Sequence, residues 1–311
     1  MGTTDDVSAT LVIASYNHAP FLPRAIASFV AQDHPDLRLI VTDDASQDDS
    51  VAVIEHELAR HSLSARTVFH QRNAGICATF NEALALVETS FVAIIAADDW
   101  MEQARFSLQV PALTRAPQAA MVYSDMWVVD EDGTNAPRRF GEVYGKRWPD
   151  RRPDRSLYAD LVHSNWIPAP TALSRTECLR HVGGYDESLP YEDHDMWLRL
   201  AAAGYDFAFV DEPLVNYRVT SHGMTQTFNR MPQQDQDVMD LAVLHKQLGV
   251  DRSVDAWLAP RLFHMAAHAY KAGSRDPVIG RTMRRCLRVQ PNLSTAAYAL
   301  LATVTQRGDR A

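Results

Sequence analysis

Short apolar runs alternate with helix-spaced segments along the first 130 positions of the chain. Thr10-Leu-Val-Ile-Ala14 is a continuous apolar run, which predicts a strand buried on both faces. Residues 21–31 carry Phe21, Ala25, Ser28 and Phe29 at helical spacing. The same reading gives strands over 37–42, 65–69, 91–96 and 120–124, and helices over 51–61, 76–87 and 102–114. Ser46 reads as the N-cap of the second helix. Strictly alternating strands and helices predict an α/β fold, with a mostly parallel sheet flanked by helices. Ligands of such sheets sit beyond the carboxyl ends of the strands.

The periodicity fails over 133–156. There Arg138, Arg139, Lys146, Arg147, Arg151, Arg152 and Arg155 are interleaved with Tyr144 and Trp148. This stretch reads either as a solvated basic loop or as a lid over an anionic ligand. Residues 158–217 are mixed, with one clear helix over 193–203. Beyond 231 the pattern is all-helical, over 233–248, 254–271, 277–289 and 294–306. The expected organisation is a domain over 1–228 and a C-terminal all-helical appendage over 229–311. In the appendage, Arg281, Arg284, Arg285 and Arg288 share one helix face, opposite Ile279, Met283, Cys286 and Leu287. That stripe reads as a solvated face, or as a contact for anionic lipid headgroups that would make the protein peripheral to a membrane. The tail otherwise serves as a homo-oligomer contact or covers the core.

Composition narrows the classes. The 311 residues are 46% hydrophobic and 22% charged, as in ordinary globular chains. Thirty Lys and Arg against 39 Asp and Glu give a net charge of −9, which argues against nucleic acid as a partner. Cys77, Cys178 and Cys286 form no CxxC pair, so neither a zinc knuckle nor a disulfide framework is indicated. The first residues predict no signal peptide. The longest apolar runs, 91–97 and 296–304, fall short of the ~20 residues of a membrane span. A soluble, cytoplasmic protein is expected.

Four polar clusters fall at predicted strand ends: Ser15-Tyr-Asn-His18, Asp43-Asp-Ala-Ser46, Gln71-Arg-Asn-Ala-Gly75 and Asp98-Asp-Trp100. Paired Asp in one turn is ordinary turn chemistry. Four clusters on the same sheet edge predict one carboxylate-rich crevice. Asp98 and Asp99 end a purely apolar strand, where an unpaired carboxylate is costly. Hard oxygen ligands of this kind suit Mg²⁺ or Mn²⁺ bridging to a diphosphate. Neither GxxxxGK[ST] nor GxGxxG is present, so the diphosphate is not held in either of those modes.

Ala9-Thr-Leu-Val-Ile-Ala-Ser-Tyr-Asn-His, Val-Thr-Asp-Asp-Ala-Ser, Arg-Asn-Ala-Gly and Ala-Asp-Asp-Trp together resemble glycosyltransferase family 2, with its GT-A (Rossmann-like) fold. The resemblance runs on through Val182-Gly-Gly-Tyr-Asp-Glu-Ser-Leu and Tyr191-Glu-Asp-His-Asp-Met-Trp to Val215-Asn-Tyr-Arg, covering about 8–225. It implies a nucleotide-sugar donor, a divalent metal and inversion at the anomeric carbon. It implies that 8–130 is the nucleotide-sugar half and 131–228 the acceptor half. Ala14, Ser15 and Tyr16 would line the base and ribose, and Asp44 would meet the base. Arg72, Asn73 and Gly75 would lie along the nucleotide pocket. Asp98 would face the ribose, and Asp99 would bind the metal with help from His222. Many relatives carry a further Asp where this chain has Ala96.

Glu192-Asp193 matches the family's acidic motif, which makes Asp193 the general base and places Glu192 on the acceptor side. An aspartate of ordinary pKa, about 3.9, is ionised at neutral pH and can take a hydroxyl proton. Trp166 falls where the family builds its acceptor pocket, whereas Trp100 and Trp197 read as packing residues. The expected reaction is single-sugar transfer, commonly from UDP, to a saccharide or lipid-linked acceptor in surface polysaccharide or glycoconjugate synthesis. The processive QxxRW motif is absent. Two alternatives are a sugar-nucleotide nucleotidylyltransferase, which wants a Gly-rich basic loop after the first strand, and a non-catalytic nucleotide-sugar binder.

Overall fold

The computed structural model describes residues 7–133, 137–144, 155–221 and 223–291. His222 and the predicted helix over 294–306 lie outside the described residues, as do Lys146, Arg147, Trp148, Arg151 and Arg152.

The chain opens with β1 (Ala9–Ser15), α1 (Leu22–Val30), β2 (Leu37–Asp43), α2 (Ser50–Arg60), β3 (Ala65–Phe69), α3 (Ile76–Leu86) and β4 (Phe91–Ala96). Then come β5 (Trp100–Met101), α4 (Arg105–Thr114), β6 (Ala119–Val129), β7 (Arg138–Arg139), α5 (Phe140–Tyr144) and α6 (Leu157–His163). Next are β8 (Leu173–Arg175), α7 (Thr176–His181), α8 (Asp193–Ala202) and β9 (Asp206–Arg218). Helices α9 (Met224–Arg230), α10 (Gln233–Leu244), α11 (Arg252–Lys271) and α12 (Pro277–Val289) complete the described chain.

The sheet order is β3-β2-β1-β4-β8-β6-β9-β5, with β7 paired to β6. Strands β3, β2, β1 and β4 run parallel, and β8 enters antiparallel between β4 and β6. Apolar alternation sends Leu11 and Ile13 of β1 to the face where Leu22, Ile26, Ile54, Phe106 and Val110 are also buried. Helix α1 begins with Pro23 in its first turn, where the missing N–H has no intrahelical partner to lose.

Strand register positions the polar turns. Ser15 lies opposite Asp43, Asp43 opposite Phe69, and Ala14 opposite Ala96. Four carboxyl ends therefore finish on one line, and the turns after them share one edge.

Three local expectations change. Ser46 is not the cap of α2: its hydroxyl donates to Asp43 Oδ2 at 2.6 Å and accepts the Asn17 N–H at 2.8 Å. The helix instead starts at Ser50, whose N–H and hydroxyl both reach Asp48 Oδ1. Part of the predicted basic loop is ordered as β7 and α5, because Phe140, Val143 and Tyr144 pack on Met126, Val128 and Val215. Strand β6 is longer than its apolar run predicts, and its parallel partner β9 shifts register around the Asp125–Pro213 pair. A proline lacking an N–H is tolerated at such an irregularity.

The chain divides into two compact units. The first holds Met1–Leu157 and Asn165–Ser221, hence the whole sheet. The second holds Tyr158–Ser164 and everything from His222 onward. Within the second unit α11 buries Val254, Leu258, Leu262 and Ala266, and α12 buries Ile279, Met283, Cys286 and Leu287. Tyr158 Oη donates to Gln247 Oε1 at 3.1 Å, and Arg261 donates to the His163 carbonyl at 3.3 Å. These bonds attach the mid-chain segment to the C-terminal helices. Asp276 caps α12 by accepting the Val278 N–H at 2.7 Å, with Pro277 in the first turn. No described helix is long and apolar enough to cross a membrane.

Candidate active site

The turns after β1 and β2 are latched to each other. Asn17 Oδ1 accepts the Gln47 N–H at 2.7 Å, and Asp48 accepts the Ala19 N–H at 3.1 Å. Asn17 and Ala45 both have positive φ, 57° and 62°. Asn tolerates that region; Ala does so at a cost, as happens at functional turns. Ser15 is buried, and Tyr16 stands exposed at the same edge.

Asp44 is buried and organises the next turn. Its Oδ1 accepts from Ala74 N–H at 2.7 Å and meets His70 Nδ1 at 2.7 Å, while its Oδ2 accepts from Gly75 N–H at 2.9 Å. Two carboxylate oxygens offer about four acceptor positions, so Oδ2 keeps one for another donor. Gly75 has φ +88°, which a Cβ would strain. Asn73 Nδ2 bonds the Asp44 carbonyl at 3.3 Å, and Arg72 is exposed beside it.

Sequence pattern alone assigns His70 no role. It bridges Asp44 and Glu82, at 2.7 Å on each ring nitrogen. Burial lowers its pKa, but the bonds and charges of Asp44 and Glu82 outweigh burial, so the net displacement is upward. A raised folded value means that the native state binds the proton more tightly than the unfolded chain, whose His titrates near 6.5. The added stability is therefore fully present below about pH 6.5 and is lost as pH climbs through the higher folded value. His70→Gln is expected to lower Tm most near about pH 5.5 and least near about pH 9. A difference in Tm that does not vary with pH would show that the imidazole acts without its charge.

At the end of β4 the two aspartates have different surroundings. Asp99, the implied metal ligand, is 3% exposed, and its Oδ1 accepts the Arg218 N–H at 2.9 Å. Burial, then the charge of Asp98, pushes its carboxyl well above the usual range, against the pull of Arg218 and Arg105. Asp98, the implied ribose contact, is half-buried, and its carboxylate accepts no hydrogen bond from the described residues; Arg218 Nε reaches only its carbonyl, at 3.0 Å. Trp100 packs as expected, with the Arg24 guanidinium 3.4 Å and the Arg218 guanidinium 4.9 Å from its ring centroid.

Among the described residues, no three His, Cys, Asp or Glu side chains gather into a metal cage. A small hard dication bound mainly through substrate phosphate and water needs only one or two carboxylates. The uncommitted Asp98 carboxylate fits that demand.

The Glu192-Asp193 pair starts α8. Asp193 Oδ2 accepts from Asn165 Nδ2 at 2.9 Å, and its Oδ1 accepts the His194 N–H at 2.6 Å. Burial, then the charge of Asp193, pushes the Glu192 carboxyl up to about 8. The segment before α8 is tied to α3: Asn81 Nδ2 donates to the Tyr185 carbonyl at 2.8 Å, and Asn81 Oδ1 accepts the Tyr185 N–H at 2.7 Å. Cys77 Sγ lies 3.6 Å from the Leu189 carbonyl, and its thiol is pushed up to about 12 by burial and by Glu192. Helix α3 starts at the turn held by Asp44, so these contacts bring the acidic pair to the same edge as the strand ends.

Trp166, expected on the acceptor side, is a packing residue. It is 1% exposed, edge-on to Tyr123 at 5.6 Å between centroids, so its ring leaves no face for a sugar. Trp197 is buried too, as a packing residue. Besides His70, sequence reasoning missed Asn165, one position before Trp166: the buried indole anchors the segment that carries this amide to Asp193.

A family model described as Glycosyl transferase family 2 matches residues 10–169, more than half of the chain. A Mycobacterium tuberculosis protein described as uncharacterized is 28% identical over 221 residues, covering 69% of this chain and 60% of the relative. This chain thus spans about 60% of that relative's length. Staphylococcus aureus TarS (residues 1–349), in complex with UDP-GlcNAc, superposes with a TM-score of 0.61 at 15% identity, covering 97% of this chain and 88% of that one. The mannosyltransferase PcManGT from Pyrobaculum calidifontis, in complex with GDP-Man and Mn²⁺, gives 0.57 at 19% identity, covering 96% and 86%. At those identities the likeness shows the fold: a GT-A sheet with a helical C-terminal part. The aligned strand ends lie within the span that the family model matches, and the chain belongs to glycosyltransferase family 2.

Proposed function

We propose that the protein is an inverting, cation-assisted transferase that moves one sugar from a nucleotide sugar, UDP-sugars foremost, to a hydroxyl of a saccharide or lipid-linked acceptor. The observation that carries this reading is the alignment of strand ends that sets Ser15, Asp44 and Asp98 on the edge to which the Glu192-Asp193 pair is tied through α3. The nucleotide-sugar complexes of the two structural neighbours support the donor class, and the Mn²⁺ in one of them supports the cation.

Each residue has a stated task. Tyr16 and the Ala14–Ser15 backbone border the base and ribose, and the open position on Asp44 Oδ2 accepts an N–H from the base. Arg72 faces the diphosphate from the exposed rim. Asp98 is the carboxylate for Mn²⁺ or Mg²⁺, and Asp99 holds the Arg218 backbone beneath it. A bound dication would neutralise the charge that develops on the leaving diphosphate. Asp193 takes the acceptor hydroxyl proton as its oxygen attacks the anomeric carbon. The bond to the diphosphate breaks on the opposite face, and its electron pair leaves with the nucleoside diphosphate. The donor half falls over 8–130 and the acceptor half over 131–228, and from 229 to the last described residue, 291, the chain is helical.

The test is a panel of UDP- and GDP-sugars with Mn²⁺, with and without saccharide acceptors. Nucleoside diphosphate release stimulated by acceptor, with inverted anomeric configuration in the product, is the expected result. Pyrophosphate release from a nucleoside triphosphate and a sugar 1-phosphate would mark a nucleotidylyltransferase instead. Donor binding without any release would mark a non-catalytic binder.

A further inference from the structure

The arginine stripe of α12 is not uniform. Arg285 donates through Nε to the Leu248 carbonyl at 3.0 Å, and through its terminal nitrogen to Leu248 at 2.7 Å and Lys246 at 3.2 Å. It caps the carbonyls that end the short 3₁₀ turn His245–Gln247, so it is a structural residue rather than a solvated one. Arg281, Arg284 and Arg288 are exposed, and no hydrogen bond or ion pair joins them to the described residues. They open on a groove of about 470 Å³ that His245 and Gly249 also line, with no carboxylate among the lining residues.

His245 reports the local field. Its Nδ1 donates to the Leu241 carbonyl at 2.6 Å, which favours the charged ring. Burial first, then Arg285, Lys246 and Arg281, still hold its pKa below the usual value. Among the described residues that line the groove, no carboxylate offsets its positive charge. Residues 292–311 contain one acid, Asp309, so the following chain brings little negative charge of its own.

We propose that this groove binds an array of phosphate groups. Seven residues of helix separate Arg281 from Arg288, about 10 Å of rise. Three guanidiniums spread over that length match several phosphates in a row better than one small anion. Each is free to make the bidentate contact that favours Arg over Lys for phosphate. Such an array has two sources, the headgroups of an anionic bilayer or a soluble phosphate chain, and both present the same chemistry to α12. The site lies wholly within the second unit and does not depend on the transfer reaction.

The test uses the full chain and the triple variant R281Q/R284Q/R288Q, with Arg285 retained. One arm is co-sedimentation with phosphatidylcholine vesicles with and without phosphatidylglycerol. The other is titration with sodium tripolyphosphate. The wild type is expected to bind at least one of these anionic probes at low salt and to release it as salt rises. The triple variant is expected to bind on the order of 100-fold more weakly, roughly fivefold per arginine. Binding to phosphatidylglycerol vesicles alone names a membrane surface as the source, and binding to tripolyphosphate alone names a soluble chain. R281Q and R288Q singly, each expected to lose about fivefold, keep the test decisive if the triple variant does not fold. The proposal is overturned if wild type binds neither probe, or if the variants bind as well as wild type to whichever probe wild type binds.

Discussion

Asp193→Asn is expected to lower kcat by roughly 10²–10⁴, the range for a lost general base, while donor affinity stays within a few-fold. The amide has the same shape and can still accept the His194 N–H, so α8 keeps its start. The nucleotide pocket proposed above uses the turns that follow β1 to β4, whose strands align, and not this side chain. Asn165→Ala should give a smaller loss in kcat, because Asn165 holds Asp193 Oδ2 in place without taking a proton. Glu192→Gln is the informative control. With its carboxyl pushed up to about 8 by burial and then by Asp193, Glu192 is mostly protonated at neutral pH. Gln imitates that state, so kcat near pH 7 should be almost unchanged, and any bend in the wild-type profile around pH 8 should disappear. If donor binding collapsed in Asp193→Asn while bound donor still turned over, Asp193 would be a structural residue of the α8 start.

Much of the fold was legible because its signals are local. The strand Phe91–Ala96 and the helix Pro277–Val289 match their sequence patterns residue for residue, since an apolar run and a Pro-started amphipathic repeat need no tertiary information. Strands β5 and β8 were not legible: two and three residues give no period to detect. Strand β9 was hidden by Asp211, Glu212 and Pro213, which sit within it only because an irregular pairing with β6 accommodates them. The strand-end clusters could be found from sequence, but their internal wiring could not. His70 meets Glu82 twelve residues away, and Asn165 meets Asp193 twenty-eight residues away, with no motif to link them. Trp166 falls by position near the acceptor pocket, and because aromatic residues serve both in pockets and in cores, only its burial shows that it packs inside. The stripe on α12 was visible as a stripe; that one of its four arginines caps carbonyls was not.

The aspartate pair is where local geometry adds most to what the motif says. Adjacent residues leaving a strand send their side chains in different directions, and a sequence does not say which one turns inward. Asp99 turns inward, bonding the Arg218 N–H, and Asp98 keeps a carboxylate with no bond from the described residues. Asp98→Ala is therefore expected to leave Tm nearly unchanged while reducing kcat by at least about 10²-fold, the scale of one lost preorganised electrostatic contact. Its donor affinity should no longer differ between Mn²⁺ and EDTA. Asp99→Asn should retain most activity and its Mn²⁺ response, because an amide oxygen can still accept the Arg218 N–H. Asp99→Ala should instead lower stability by about 1–3 kcal/mol, the cost of a buried N–H left without its acceptor. It should lose activity only as far as Arg218 and the β4 turn relax. Donor titrations in Mn²⁺ and in EDTA, with thermal melts of all three variants, separate the roles. Should Asp99→Asn lose the Mn²⁺ response while Asp98→Ala keeps it, Asp99 would be the cation ligand and Asp98 a contact to the ribose.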